Sequence, residues 1–117
     1  MKKIDDYKNK KVLVLGAGKS GTHAAELLKE LGATVVLSDS KPSSELPEVA
    51  QLNDEGIETI TGKQDPTILD DGFDIMVKNP GIPYDNSVVA AAVEHHLPII
   101  TEVELASQIT DAEIIGV

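Results

Sequence analysis

KVLVLGAGKSG, residues 11–21, decides how the rest of the chain is read. Val12, Leu13, Val14 and Leu15 are consecutive and apolar, the pattern of a strand buried on both faces of a parallel sheet. Gly16, Gly18 and Gly21 follow in G-x-G-x-x-G spacing. Gly16 permits the tight turn out of the strand, Gly18 lets backbone approach a phosphate, and Gly21 lets the next helix sit close to the sheet. Backbone N–H groups near Lys19 and Ser20 then lie at the positive end of the helix dipole, and Ser20 adds a hydroxyl. A P-loop is excluded by spacing: the first glycine of G-x-x-x-x-G-K would fall at Leu13, inside the strand.

The helix this loop opens is expected from Ser20 to Leu31, since Ala24, Leu27, Leu28 and Leu31 recur on one face and Gly32 stops it. Thr34–Ser38 is the second strand and completes a βαβ unit. Asp39 to Pro47 reads as a loop, and a short helix is expected from Pro47 to Glu55. Further strands are expected at Glu58–Thr61, Asp74–Lys78 and Pro98–Thr101. Between Gly62 and Gly72 at most one helical turn fits. Asn79-Pro-Gly-Ile-Pro-Tyr84 is a loop, and Asn86 or Ser87 caps a helix running to about His96 with Val89, Ala92 and Val93 on one face. A last helix is expected at Glu102–Ile109, then a strand-like run at Glu113–Val117. This alternation predicts an α/β fold: a Rossmann-like, doubly wound, mainly parallel five-stranded sheet with helices on both faces. Right-handed crossovers bring Gly16–Gly21, Asp39 and Asn79–Tyr84 to the carboxyl edge of that sheet. E-I-I-G-V ends the chain on an apolar run without turn or cap. We therefore expect a nucleotide-binding domain over 1–110, with 111–117 opening a following domain.

The bulk composition narrows the ligand. The chain has 117 residues and a formal net charge of −10, which disfavours nucleic acid and anionic membrane surfaces. With only Tyr7, Phe73 and Tyr84 aromatic, the core must be aliphatic. There is no cysteine, so disulfides and thiolate metal sites are excluded. No signal-peptide pattern or membrane span is present, and the cytoplasm is the default compartment.

Asp39 ends the second strand, where an acidic residue can meet ribose hydroxyls or accept an N–H from a base. Ser40 and Lys41 follow at the rim. In Lys78-Asn-Pro-Gly-Ile-Pro-Tyr84, Pro80 and Pro83 fix the backbone and Gly81 permits close approach, so the loop costs little entropy on binding. Glu102 and Glu104 suit a helix start, and His95 and His96 a helix end. His23 has no partner at ligand spacing. No nucleophile–base pair and no metal constellation is visible. The glycine loop and Asp39 by themselves also fit a nicotinamide-dinucleotide domain of a dehydrogenase and a nucleotide-sensing regulatory module.

V-L-G-A-G-K-S-G (14–21), L-S-D-S-K (37–41), K-N-P-G-I-P (78–83) and I-T-E-V-E-L (100–105) together resemble the N-terminal domain of the Mur ligases, most nearly their D-glutamate-adding branch. The resemblance covers essentially the whole chain. It implies a three-domain parent whose first domain binds the UDP part of UDP-N-acetylmuramoyl-L-alanine, not NAD. ATP and magnesium would be held by the central domain, and the incoming amino acid would be brought by the third. An acyl phosphate on the alanine carboxylate would then be attacked by the D-glutamate amine. Every catalytic residue would lie beyond Val117. The resemblance further implies that Gly18, Lys19, Ser20 and Gly21 meet the diphosphate, that Asp39 and Ser40 meet the uracil, and that Lys41 lies beside uracil or phosphate, where relatives often carry arginine. Asn79 and Gly81 would border the uridine from the other side; Asn79 departs from the serine of other members.

Overall fold

The structure, a computed structural model, describes residues 7–16, 18–62, 66–79, 81–82 and 86–107. Five strands form one parallel sheet: β1 (Lys11–Leu15), β2 (Thr34–Asp39), β3 (Glu58–Thr61), β4 (Ile75–Lys78) and β5 (Ile99–Thr101). Their spatial order is β3-β2-β1-β4-β5. The connections are α1 (Gly18–Glu30), α2 (Glu48–Asp54) and α3 (Ser87–Glu94), with 3-10 turns at Ser43–Glu45 and Pro66–Asp71. Residues 102–107 are helical after β5. The expected strand-like run at Glu113–Val117, and the domain boundary placed near it, lie outside the described residues.

Both sheet faces are buried, as the unbroken apolar strands require. Alternate residues of each strand point to opposite faces. Val12, Val14, Val35, Leu37 and Val77 therefore pack with Ala24, Ala25 and Leu28 of α1, Leu52 of α2 and Leu105. Leu13, Leu15, Val36 and Met76 face the other way, onto Val88, Val89 and Ala92 of α3. Helices on both faces make the sheet doubly wound.

The helices begin and end on local chemistry. Asn86 caps α3, its side-chain oxygen accepting from the N–H groups of Val88 at 2.9 Å and Val89 at 3.3 Å. α1, α2 and α3 each close on a six-to-one backbone bond: Ala33 N–H to the Leu28 carbonyl, Ile57 N–H to Leu52, and Leu97 N–H to Ala92. The left-handed residue this motif needs is glycine in the first two; in α3 it is His96, at φ 58°.

Three expectations are corrected. The first helix begins at Gly18, not Ser20, so residues 18–20 lie in its first turn. The helix expected to reach His96 ends at Glu94. Val93, expected on its buried face, is 52% exposed, and Val88 takes its place. V-V-A-A-A-V (88–93) is apolar all round, so periodicity could not choose a face.

Candidate functional site

The chain reverses direction across the sheet at β1. From β1 it runs outward through β2 to β3, then returns to place β4 on the other side of β1. Open α/β sheets bind ligands in the crevice at such a switch point, beyond the carboxyl ends of the strands. The loop after β1 is the glycine turn. It lies between the ends of β2 and β4, which are two strand spacings, roughly 10 Å, apart. The three predicted loops thus share one edge.

Gly16 has φ 98°, a conformation open to glycine and strained for other residues, and its N–H donates to the Ser38 carbonyl at 2.7 Å. That bond ties the glycine turn to the end of β2. A Cβ on Gly16 would meet Cδ1 of Ile82 at 3.3 Å, so the loop after β4 rests directly on the turn. At Gly21 a Cβ would overlap the Gly16 carbonyl oxygen. The third glycine therefore permits the close approach of helix and turn that its spacing predicts. With α1 starting at Gly18, the amides of its first turn face this edge with no helical carbonyl to bond. The side chains of Lys19 and Ser20 lie outside the described residues.

At the end of β2, Asp39 is half-buried while Ser40 and Lys41 are exposed. Asp39 Oδ1 accepts the Lys41 N–H at 2.8 Å, closing a turn of the kind Asp side chains favour. The Asp39 and Lys41 carbonyls both accept from the Gly62 N–H, at 3.1 and 2.9 Å. The rim after β2 is thereby fixed to the end of β3.

Beyond β4, Asn79 holds its own loop together. Its Oδ1 accepts the Gly81 N–H at 2.8 Å, its carbonyl accepts the Ile82 N–H at 3.0 Å, and its Nδ2 donates to Glu102 Oε2 at 3.4 Å. The Asn79 side chain is engaged within the protein. Gly81 is exposed and, having no side chain, presents backbone. Pro80, Pro83 and Tyr84 lie outside the described residues.

Two charged residues that were not assigned to the site sit beneath it. Lys78 is 3% exposed and Glu102 8% exposed. Lys78 Nζ donates to the Ile82 carbonyl at 2.8 Å. Glu102 Oε1 lies 3.6 Å from where a Gly21 Cβ would stand. Its neighbour Glu104 does a different job: the Glu104 N–H donates to Thr101 Oγ1, and Glu104 Oε1 accepts the Thr101 N–H, each at 3.1 Å. This is a capping box. The T-x-x-E spacing of Thr101 and Glu104 was the signal that could have separated the capping glutamate from the buried one.

Two concavities lie along α1. The larger, about 620 Å³, runs between α1 and the helical segment after β5 and is lined by His23, Ala24, Leu27, Glu102, Val103, Leu105 and Ala106. The other, about 420 Å³, lies beside the exposed side of α1, lined by His23, Glu26, Leu27, Lys29, Glu30 and Glu55. There the Glu26 carboxyl is raised above its ordinary value by a hydrogen bond with Glu55, then by burial and by the Glu55 charge. Gln51 Nε2 also reaches both, at 3.2 and 3.5 Å. These residues join α1 to α2. Among the described residues no three His, Cys, Asp or Glu gather as metal ligands would, and no helix is long and apolar enough to cross a membrane.

Residues 10–101 match the family model described as Mur ligase MurD-like, N-terminal domain. The whole chain aligns at 55% identity with 26% of a UDP-N-acetylmuramoylalanine–D-glutamate ligase of Streptococcus sanguinis. It aligns at 52% identity with the same share of the enzyme of that name from Lactiplantibacillus plantarum. The chain thus spans about a quarter of the length of the curated relatives it matches. Among solved structures, it superposes on a UDP-N-acetylmuramate:L-alanyl-gamma-D-glutamyl-meso-diaminopimelate ligase from Neisseria meningitides with TM-score 0.69 at 28% identity, covering 80% of this chain and 29% of that one. A UDP-N-acetylmuramate-alanine ligase from Thermotoga maritima shares the fold, with TM-score 0.74 at 21% identity over 90% of this chain and 24% of its own.

Proposed function

The chain belongs to the MurD-like N-terminal domains of the Mur ligases, and on that premise we propose that it binds the UDP end of UDP-N-acetylmuramoyl-L-alanine. The observation that carries this reading is the meeting of three loops at the switch point, with Ile82 and the start of α1 both packed on the Gly16 turn. The diphosphate sits at the first turn of α1, where the amides of Gly18, Lys19, Ser20 and Gly21 and the helix dipole offset its charge. Backbone donors suit this acidic chain, because they bind an anion locally whatever the net charge. Asp39 accepts a ring N–H from uracil, with Ser40 and Lys41 beside it. Asn79 and Gly81 border the uridine opposite, through backbone rather than the Asn79 amide.

Binding and orientation are this domain's contribution to an amide-forming reaction in the cytoplasm. It holds the nucleotide handle so that the distant alanine carboxylate is presented to the remaining domains. ATP and magnesium are assigned to those other domains, because Leu13 occupies the first P-loop glycine position and the glycine loop here lacks P-loop spacing. Phosphorylation of the alanine carboxylate, attack by the D-glutamate amine and release of phosphate belong to those other domains.

Calorimetric titration with UDP tests the reading. Ser20→Asp places a negative charge in the first turn of α1, beside the diphosphate, and is expected to weaken UDP binding by about tenfold. Unchanged affinity in that variant would move the diphosphate elsewhere.

A further inference from the structure

Lys78 and Glu102 approach the loop after β4 from opposite faces of the sheet. Lys78 shares a strand face with Met76, whose neighbours include Leu13 and Leu15, on the α3 side. Glu102 opens the helical segment whose Leu105 packs on the α1 side. Both are buried, and burying a charged group is costly unless it is paired or hydrogen-bonded. A solvated lysine at the end of a strand would incur no such cost.

From this arrangement we propose that Lys78 and Glu102 are positioning residues. They clamp Asn79 and Ile82, of the loop after β4, onto the glycine turn, so that the nucleoside-diphosphate edge is assembled before its ligand arrives. Lys78 grips the Ile82 carbonyl with a charge-assisted bond of 2.8 Å, and the Ile82 side chain lies against Gly16. Glu102 holds the Asn79 amide at 3.4 Å, which orients Asn79 Oδ1 toward the Gly81 N–H. Neither residue touches ligand in this account. They act through Ile82 and through Asn79, and so fix the height of the Gly81 backbone over the site. A loop fixed in this way loses little entropy on binding. The nucleotide half of the proposal rests on the function proposed above; the clamp itself does not.

The test uses the 117-residue chain, its Lys78→Met variant, and the pair Glu102→Ala and Glu102→Gln. Two readouts are taken: UDP affinity by calorimetry, and hydrogen exchange of the Gly81 and Ile82 amides without ligand. Both Lys78→Met and Glu102→Ala are expected to accelerate exchange at Gly81 and Ile82 and to weaken UDP binding by about tenfold. Exchange in the β1 core is expected to be unchanged. Glu102→Gln keeps an acceptor for Asn79 and is expected to restore both readouts to within about threefold of the parent. If Lys78→Met does not fold, the Glu102 pair decides the matter alone. Unchanged exchange at Gly81 and Ile82 in the truncating variants would overturn the clamp, as would UDP affinity equal to the parent's. If the parent does not bind UDP, the function proposed above fails, and the exchange rates still decide the clamp.

Discussion

Gly21 has no room for a side chain because the carbonyl of Gly16 occupies the place of its Cβ. That obstacle is backbone, held by the bond from Gly16 N–H to the Ser38 carbonyl at 2.7 Å, so it cannot rotate away. Gly21→Ala is expected to destabilise the fold by about 3 kcal/mol, the upper part of the range for overpacking. Urea denaturation reads this directly, and an unshifted midpoint would show that the turn has slack. The spacing of the three glycines made this contact legible in advance, because helix–strand approach at the third position follows from backbone geometry alone. Lys78 and Glu102 were not legible in the same way. Lysine at the end of a short strand, and glutamate at the start of a helix, are both ordinary surface residues in sequence. Their burial follows from the interior place of β4 in the sheet and from the packing of Ile82 and Asn79 over them, and both are tertiary facts.

Within single elements, capping and inter-helix charge make the sharpest predictions. α3 has eight residues, too few to be stable alone in water, so its cap and packing must hold it. Asn86 satisfies two of its otherwise unpaired amides, and Asn86→Ala is expected to cost about 1 kcal/mol in chemical denaturation. No loss would mean that solvent replaces the cap at no cost. Between α1 and α2, Glu26 is protonated more readily in the folded protein than its ordinary value of 4.5 implies, chiefly through its hydrogen bond with Glu55. The folded state therefore binds the proton more tightly than the unfolded chain does. The resulting stability is full below the unfolded value and is lost as pH rises through the folded one. Glu26→Gln removes the like-charge contact and keeps a donor. It is expected to raise the melting temperature at pH 7 and leave it nearly unchanged at pH 4, the gain on the order of a few tenths of a kcal/mol because water screens the pair. A lower melting temperature at pH 7 would contradict this. Cap and helix were readable from Asn86 and the apolar run behind it; the carboxyl pair was not, because Glu26 and Glu55 are far apart in sequence and meet only when α2 docks.

At the scale of the molecule, strand order β3-β2-β1-β4-β5 turns a linear list of loops into one edge. The alternation of apolar strands with helical periodicity was enough to predict that sheet and its double winding. Element ends shifted by a residue or two, and at residues 88–93, where apolar residues cover the whole helix, periodicity could not choose the buried face. The gathering of the glycine turn, Asp39–Lys41 and the loop after β4 followed from topology and handedness rather than from contact information. The engagement of Asn79 within its own loop needed coordinates. Amide NMR of the chain during titration with UDP, and separately with NAD, tests the central claim most directly. The account predicts saturable shifts at Gly18–Gly21, Asp39–Lys41 and Gly81 with UDP and none with NAD; saturation by NAD with no response to UDP would contradict it.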